Sequence, residues 1–279
     1  MAPKSLGRRE AADRNNNTGR VRVRTLLALA VLLPGTMLGG ALCLPATARA
    51  ADTVDVMLAL VTDVSRSIDD SEFDLEKNGY QAAFTSPEVL NAIKAGPNGA
   101  IAVSYLEFAS NYEVRTVVDW TIIRDAASAD AFLARLMEAP RSYYGRTAIG
   151  SGIDLAVQSI TGSPIQATRK VIDVCGDGTS NAGREVSQAR DDALKLGITI
   201  NGLAIINEHP ASWTFAHVQP PGGLGKYYRE NVSGGPSSFV LEIHDFHDFA
   251  NAIKRKLISE ISEGPRRRTT AAIDTPPRN

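Results

Sequence analysis

Three short segments of this 279-residue chain carry oxygen-bearing side chains in a pattern that suits a hard cation. Asp63-Val64-Ser65-Arg66-Ser67 places a carboxylate and two hydroxyls at alternate positions of one loop, with Val64 and Arg66 turned elsewhere. Gly145-Arg146-Thr147 presents a third hydroxyl where a helix opens. Gly176-Asp177-Gly178 sets a second carboxylate between glycines that permit a tight turn. Singly, these residues have plainer roles: Asp63 as a turn residue, Ser65 and Ser67 as caps of the next helix. Taken together they form an all-oxygen donor set. Such a set suits Mg²⁺, which prefers octahedral geometry and keeps several waters, with Mn²⁺ or Ca²⁺ as other candidates.

The chemistry requires that these loops leave the same end of one scaffold. Val54–Val61 reads as a strand running into Asp63, and the spacing over Ser71–Phe84 predicts a helix ending before Pro87. Ala100–Phe108 and Glu113–Trp120 read as an antiparallel hairpin at a sheet edge. Ala126–Met137 and Ala148–Ile160 read as helices. Lys170–Cys175 and Thr199–Ile206 are strands of buried type, with a helix over Arg184–Leu196 between them. Phe239–Ile243 reads as a last edge strand and Phe246–Ile261 as a closing helix. Strands separated by helix-length segments imply a Rossmann-like, doubly wound, mostly parallel sheet with one antiparallel edge strand and helices on both faces. Ligands of such sheets bind beyond the carboxyl ends of the strands, where Asp63 and Asp177 fall. Glu208–Pro236, rich in Pro and Gly, reads as a long irregular connection.

With Asp63, Ser65, Ser67, Thr147 and Asp177 at those spacings, the chain resembles a von Willebrand factor type A domain, the fold also found as the integrin inserted domain. The match is to that family's metal-ion-dependent adhesion site, Asp-x-Ser-x-Ser with a distant Thr and a distant Asp, and it covers most of residues 54–261. The stretch Tyr227–Pro236 and Phe239–Val240 also resemble an uncharacterised bacterial branch. The resemblance implies that Ser65, Ser67 and Thr147 ligate the ion directly, while Asp63 and Asp177 act through bound waters and hydroxyl hydrogen bonds. Neutral direct ligands would leave most of the ion's charge in place and one position open for an Asp or Glu of a partner protein. Arg66 and Tyr143–Tyr144 are candidates for the rim of that contact.

Composition narrows the alternatives. Residues 1–50 carry eight basic and two acidic side chains; the rest carries 22 basic and 29 acidic ones, a net of −7. So acidic a body is a poor match for phosphate backbones, which argues against nucleic acid. The basic leader, the apolar Thr25–Leu33 and Ala48-Arg49-Ala50 form the pattern of a secretory signal cleaved after Ala50, with an uncleaved anchor as the alternative. The expected organisation is therefore a signal over 1–50, one domain over 51–263 and a disordered tail over 264–279. The mature chain is expected to be periplasmic or extracellular, without a stable membrane span. It keeps only Cys175, read as a small core residue, so no intramolecular disulfide is expected. Gly150-Ser151-Gly152 and residues 176–183 lack the spacing and the Lys of a phosphate loop, so no nucleotide is expected. His209, His217, His244 and His247 show no zinc pattern. Asp69 and Asp70 are expected to cap the first helix, and Asp173 to be a buried, hydrogen-bonded structural acid.

Two classes of function remain. A binding module would grip an acidic partner side chain through the ion, and this reading, not an enzyme, is preferred. The alternative is a metal-dependent hydrolase of phosphatase or esterase type using the same ion. It needs a base or nucleophile that no well-placed His supplies.

Overall fold

The computed structural model describes residues 52–206, 220–244 and 246–262. The expected leader and tail lie outside the described residues, as do His209, His217 and most of the first half of the Pro/Gly-rich connection.

Six strands form one sheet in the order β3-β2-β1-β4-β5-β6: β1 Thr53–Asp63, β2 Ile101–Phe108, β3 Val114–Ile123, β4 Gln166–Gly176, β5 Ile198–Ile205 and β6 Val240–Ile243. All neighbours are parallel except β2 and β3. The antiparallel edge is thus where the hairpin reading put it. β1 is at the centre and is buried from Val54 to Asp63. Its residues alternate between two cores. Val56, Leu58 and Leu60 face one, and Met57, Ala59 and Val61 the other, as expected of a parallel strand covered on both sides.

The first core is covered by α1 (Asp70–Phe84), α2 (Pro87–Ala95), α3 (Ala126–Glu138) and α7 (Phe249–Ser262), through Tyr80, Phe84, Phe132, Phe249 and Leu257. The second is covered by α4 (Ile149–Gly162) and α5 (Val186–Lys195). Asp69 caps α1 in a reciprocal capping box with Glu72, so this helix takes its cap from Asp69 and not from Ser65 or Ser67.

One element was not foreseen and one expectation needs correction. The first helix ends at Phe84, before Pro87 as expected, but Ser86 then caps a further helix, α2, with Pro87 in its first turn, where a missing N–H costs nothing. The Pro/Gly-rich connection is not irregular throughout. Leu224–Tyr227 forms a short helix, α6, continued by a π-helical turn over Tyr228–Val232. Leu224, Tyr228 and Val232 recur every four residues and bury a stripe on the second core. Thr147 lies just ahead of α4, next to its N-cap Ala148, where the sequence reading has it opening that helix.

Candidate metal centre

β1 and β4 are paired in register, with Thr62 opposite Cys175, so their carboxyl ends deliver Asp63 and Asp177 side by side. The chain after Asp63 folds back at once: the Ser65 N–H donates to Asp63 Oδ1 at 2.8 Å, and the Ile68 N–H to the Ser65 carbonyl. This turn brings Ser65 and Ser67 to the same side, their hydroxyls 3.2 Å apart. Ser67 donates to Asp177 Oδ1 at 2.8 Å, and Thr147 Oγ1 donates to Ser65 Oγ at 3.2 Å. All five residues named from the sequence therefore converge in one connected cluster. Val64 is buried in the first core and Arg66 is exposed, as the alternation requires.

The three loops are fastened to one another by backbone. The Arg66 N–H donates to the Gly145 carbonyl, and the N–H groups of Asn181 and Ala182 both donate to the Thr147 carbonyl. Asn181 Oδ1 accepts the Thr147 N–H at 3.0 Å. Gly176 is needed for close approach: a Cβ there would lie 2.8 Å from Tyr228 Oη and 3.0 Å from Asp63 Cβ. Gly150 has a similar reason, its missing side chain making room for the Arg184 carbonyl.

Electrostatically the cluster is short of positive charge. Asp63 is fully buried and its Oδ2 has no hydrogen-bond partner. Burial, with Asp177 across the cluster, raises its pKa to about 8. Glu76 on α1 lies beneath, also fully buried, accepting only the Cys175 thiol at 3.6 Å. Burial and the two aspartates push it well above the usual carboxylate range. Half-buried Glu72 is raised to about 7, mainly by burial. Two carboxylates, one with an orphaned inward oxygen, and three hydroxyls make a donor set that a divalent cation would complete. Among the described residues, no three His, Cys, Asp or Glu side chains group closely enough to hold a metal, so hydroxyls are indispensable to any such site.

Sequence reasoning missed three neighbours. Arg141, its side chain 4% exposed, donates to the carbonyls of Val64 (2.9 Å), Ser65 (2.7 Å) and Tyr143 (3.0 Å) and so pins the first metal loop to the segment before Thr147. It stacks 4.2 Å from the Tyr144 ring centre, and Tyr144 remains 58% exposed at the rim while Tyr143 packs partly into the first core. Tyr228 lies fully buried beside Gly176, its hydroxyl without a partner. Glu76 did leave a trace in the sequence: with Phe73 and Tyr80 it lies three and four residues away on the buried face of α1, an acid at a core position. Asp173 is buried, as expected, and ion-paired to Lys256.

The comparisons agree with this architecture. A zinc-occupied metal-ion-dependent adhesion site is named in the structure of proximal thread matrix protein 1 from the mussel byssus, similar at 17% identity and a TM-score of 0.56 over 76% of this chain and 49% of that one. The pilus adhesin SpaC from Lactobacillus rhamnosus GG matches at 13% identity and a TM-score of 0.52, over 75% of this chain and 31% of its own. A von Willebrand factor type A protein from Catenulispora acidiphila matches at 15% and 0.51, over 75% and 43%. The chain thus spans less than half the length of these structures, and the likeness establishes the fold: a von Willebrand factor type A domain. No curated protein matches the chain. A family profile described as a protein of unknown function, DUF1194, matches residues 53–265, and the chain belongs to that family.

Proposed function

We propose that this domain is an exported, divalent-metal-dependent protein-binding module of adhesion type. The observation that carries the reading is the convergence of Asp63, Ser65, Ser67, Thr147 and Asp177 into one cluster with a buried, unpartnered carboxylate oxygen. Ser65, Ser67 and Thr147 would hold the ion, Mg²⁺ in the first instance, with Asp63 and Asp177 acting through waters. The ion would supply an electrophilic position for the carboxylate of a partner's Asp or Glu. The protein's own part is positional. Arg141 and Asn181 fix the loops, and Tyr144 and Arg66 offer an aromatic and a cationic rim. Among the described residues no helix is long and apolar enough to cross a membrane, and the basic leader with its apolar core supports export.

Calorimetric titration of Mg²⁺, Mn²⁺, Ca²⁺ and Zn²⁺ into the metal-stripped protein tests the reading, alongside Ser65→Ala/Ser67→Ala. One-to-one uptake by the wild type, lost in the double variant, is expected. Titrating an acidic peptide into the loaded and the EDTA-treated protein then tests the open position. Absence of divalent uptake overturns the proposal. Phosphatase or esterase turnover abolished by Asp63→Ala would replace it with the hydrolase alternative.

A further inference from the structure

The first core holds a second cluster of charges that metal binding does not use. Lys256 on α7 and Asp173 within β4 are fully buried, and Glu260, one turn beyond Lys256, is 1% exposed. The Lys256 amine lies 2.5 Å from Glu260 Oε1 and 2.6 Å from Asp173 Oδ1. The two contacts differ in kind. Toward Glu260 the amine is a hydrogen-bond donor, and the same oxygen accepts Asn201 Nδ2 at 2.8 Å. Toward Asp173 it abuts the carboxyl group outside hydrogen-bonding geometry, and neither Asp173 oxygen has a hydrogen-bond partner. The Phe239 ring closes the other side, 5.1 Å from the amine. An amine held 2.6 Å from a carboxyl oxygen is also within about 4 Å of the carbon that bears it.

We propose that Lys256 and Asp173 become joined by an intramolecular amide bond, with Glu260 as the proton carrier. The ammonium first passes one proton to the Asp173 carboxylate, leaving a neutral amine and a carboxylic acid. Nζ then bonds to Cγ of Asp173, Glu260 takes a proton from the nitrogen and delivers it to the departing hydroxyl, and the Cγ–O bond breaks. One water leaves, one proton stays as the amide N–H, and Glu260 ends in the state in which it began. No oxidant, cofactor or second substrate enters.

Three physical points support the step. Burying several charges in an apolar core is costly even when they are paired, and the condensation removes two of them. The reacting groups are held in contact, which supplies the largest part of what an amide-forming reaction lacks in water. The neutral pair is within reach, because burial, with Glu260 alongside, raises Asp173 to about 7. The two carboxylates hold Lys256 protonated, so the reactive form is the minor one, and permanent contact compensates for its low population. The bond would tie α7 to the strand next to the centre of the sheet, independently of any metal.

Tryptic peptide mapping of the full chain by tandem mass spectrometry tests this. The expected product joins residues 171–184 to residues 256–266, at the sum of the two peptide masses less one water. Lys256→Arg should abolish that product, and Glu260→Gln should slow its appearance during a refolding time course. Recovery of 171–184 alone, with trypsin cleaving normally after Lys256, overturns the proposal. So does loss of water confined to 171–184, which would be cyclisation at Asp177-Gly178. An unchanged rate in Glu260→Gln removes Glu260 from its role.

Discussion

Asp63→Asn separates the two consequences of a buried carboxylate at this site. In the metal-free protein Asp63 is fully buried, its Oδ2 is unpartnered, and its pKa stands at about 8 against an ordinary 3.8. The folded chain therefore binds this proton more tightly than the unfolded chain between those two values. Stability falls as pH rises through that window, by up to about 1.4 kcal/mol per pH unit, the reverse of a salt-bridged aspartate. Asparagine has nearly the shape of the protonated acid and does not titrate. Between pH 4.5 and 6.5 the wild type should lose up to about 3 kcal/mol relative to Asp63→Asn. For a domain of this size that is roughly 5–10 °C in melting temperature.

Thermal melts in EDTA at the two pH values read this difference directly. The variant should melt above the wild type at pH 6.5 and close to it at pH 4.5. Added Mg²⁺ should close the gap at a hundredfold excess over Kd and reverse the ranking at a thousandfold excess, since an ion that binds only the folded state stabilises it by about 2.7 and about 4.1 kcal/mol respectively. The variant should not respond. Parallel pH dependences for the two proteins would refute the electrostatic reasoning, and an equal response to Mg²⁺ would refute the assignment of Asp63 to the site.

Gly176→Ala would force a methyl to within 2.8 Å of the Tyr228 hydroxyl and 3.0 Å of Asp63 Cβ, and should cost about 1–3 kcal/mol in urea unfolding and weaken Mg²⁺ uptake. Arg141→Lys keeps the charge but loses the fork that holds the Val64, Ser65 and Tyr143 carbonyls; a loss of about 1–3 kcal/mol and a lower Mg²⁺ affinity are expected by melting and calorimetry. Tyr228→Phe removes a buried hydroxyl that has no partner, so the metal-free protein should melt at the same temperature or higher, by up to about 1–2 kcal/mol. A clear destabilisation would show that this hydroxyl is bonded in solution.

The convergence of the five candidate metal-site residues was legible because their signal is local: each follows the end of a strand or precedes a helix, and alternation along β1 fixes which side chains share a face. The sheet was legible for the same reason, since strands buried on both faces are continuous apolar runs. What escaped depended on partners far away in the chain. Arg141 is an ordinary surface-type residue until the fold brings the Val64 and Ser65 carbonyls to it from more than seventy positions earlier. Ser86-Pro87 reads as a stop and a start with equal justice, and only the packing of Val89 and Ile93 into the first core decides for a helix. Glycine and proline around Leu224, Tyr228 and Val232 mask a stripe that is apolar only at every fourth residue.

The positions that break the rule of apolar interiors follow a pattern of their own. Asp63, Glu76, Asp177, Asp173, Lys256 and Glu260 fall into two groups, one at the carboxyl end of β4 and one along it. A buried acid demands a compensating charge, and the groups answer differently. Along β4 the compensation is internal: Lys256 reaches Asp173 and Glu260 at contact distance and needs nothing from solvent. At the end of β4 Arg141 turns its guanidinium to the backbone of the loop after β1 and to Asp70, and the Asp63 Oδ2 atom keeps no hydrogen-bond partner. A fully buried Asp63 with an unpartnered oxygen beside three hydroxyls is favoured when protonated or when a cation arrives from outside. That distinction separates the ion-paired cluster along β4 from the candidate metal site at its end, and it makes metal-dependent stability of the wild type the most direct test of the proposed function.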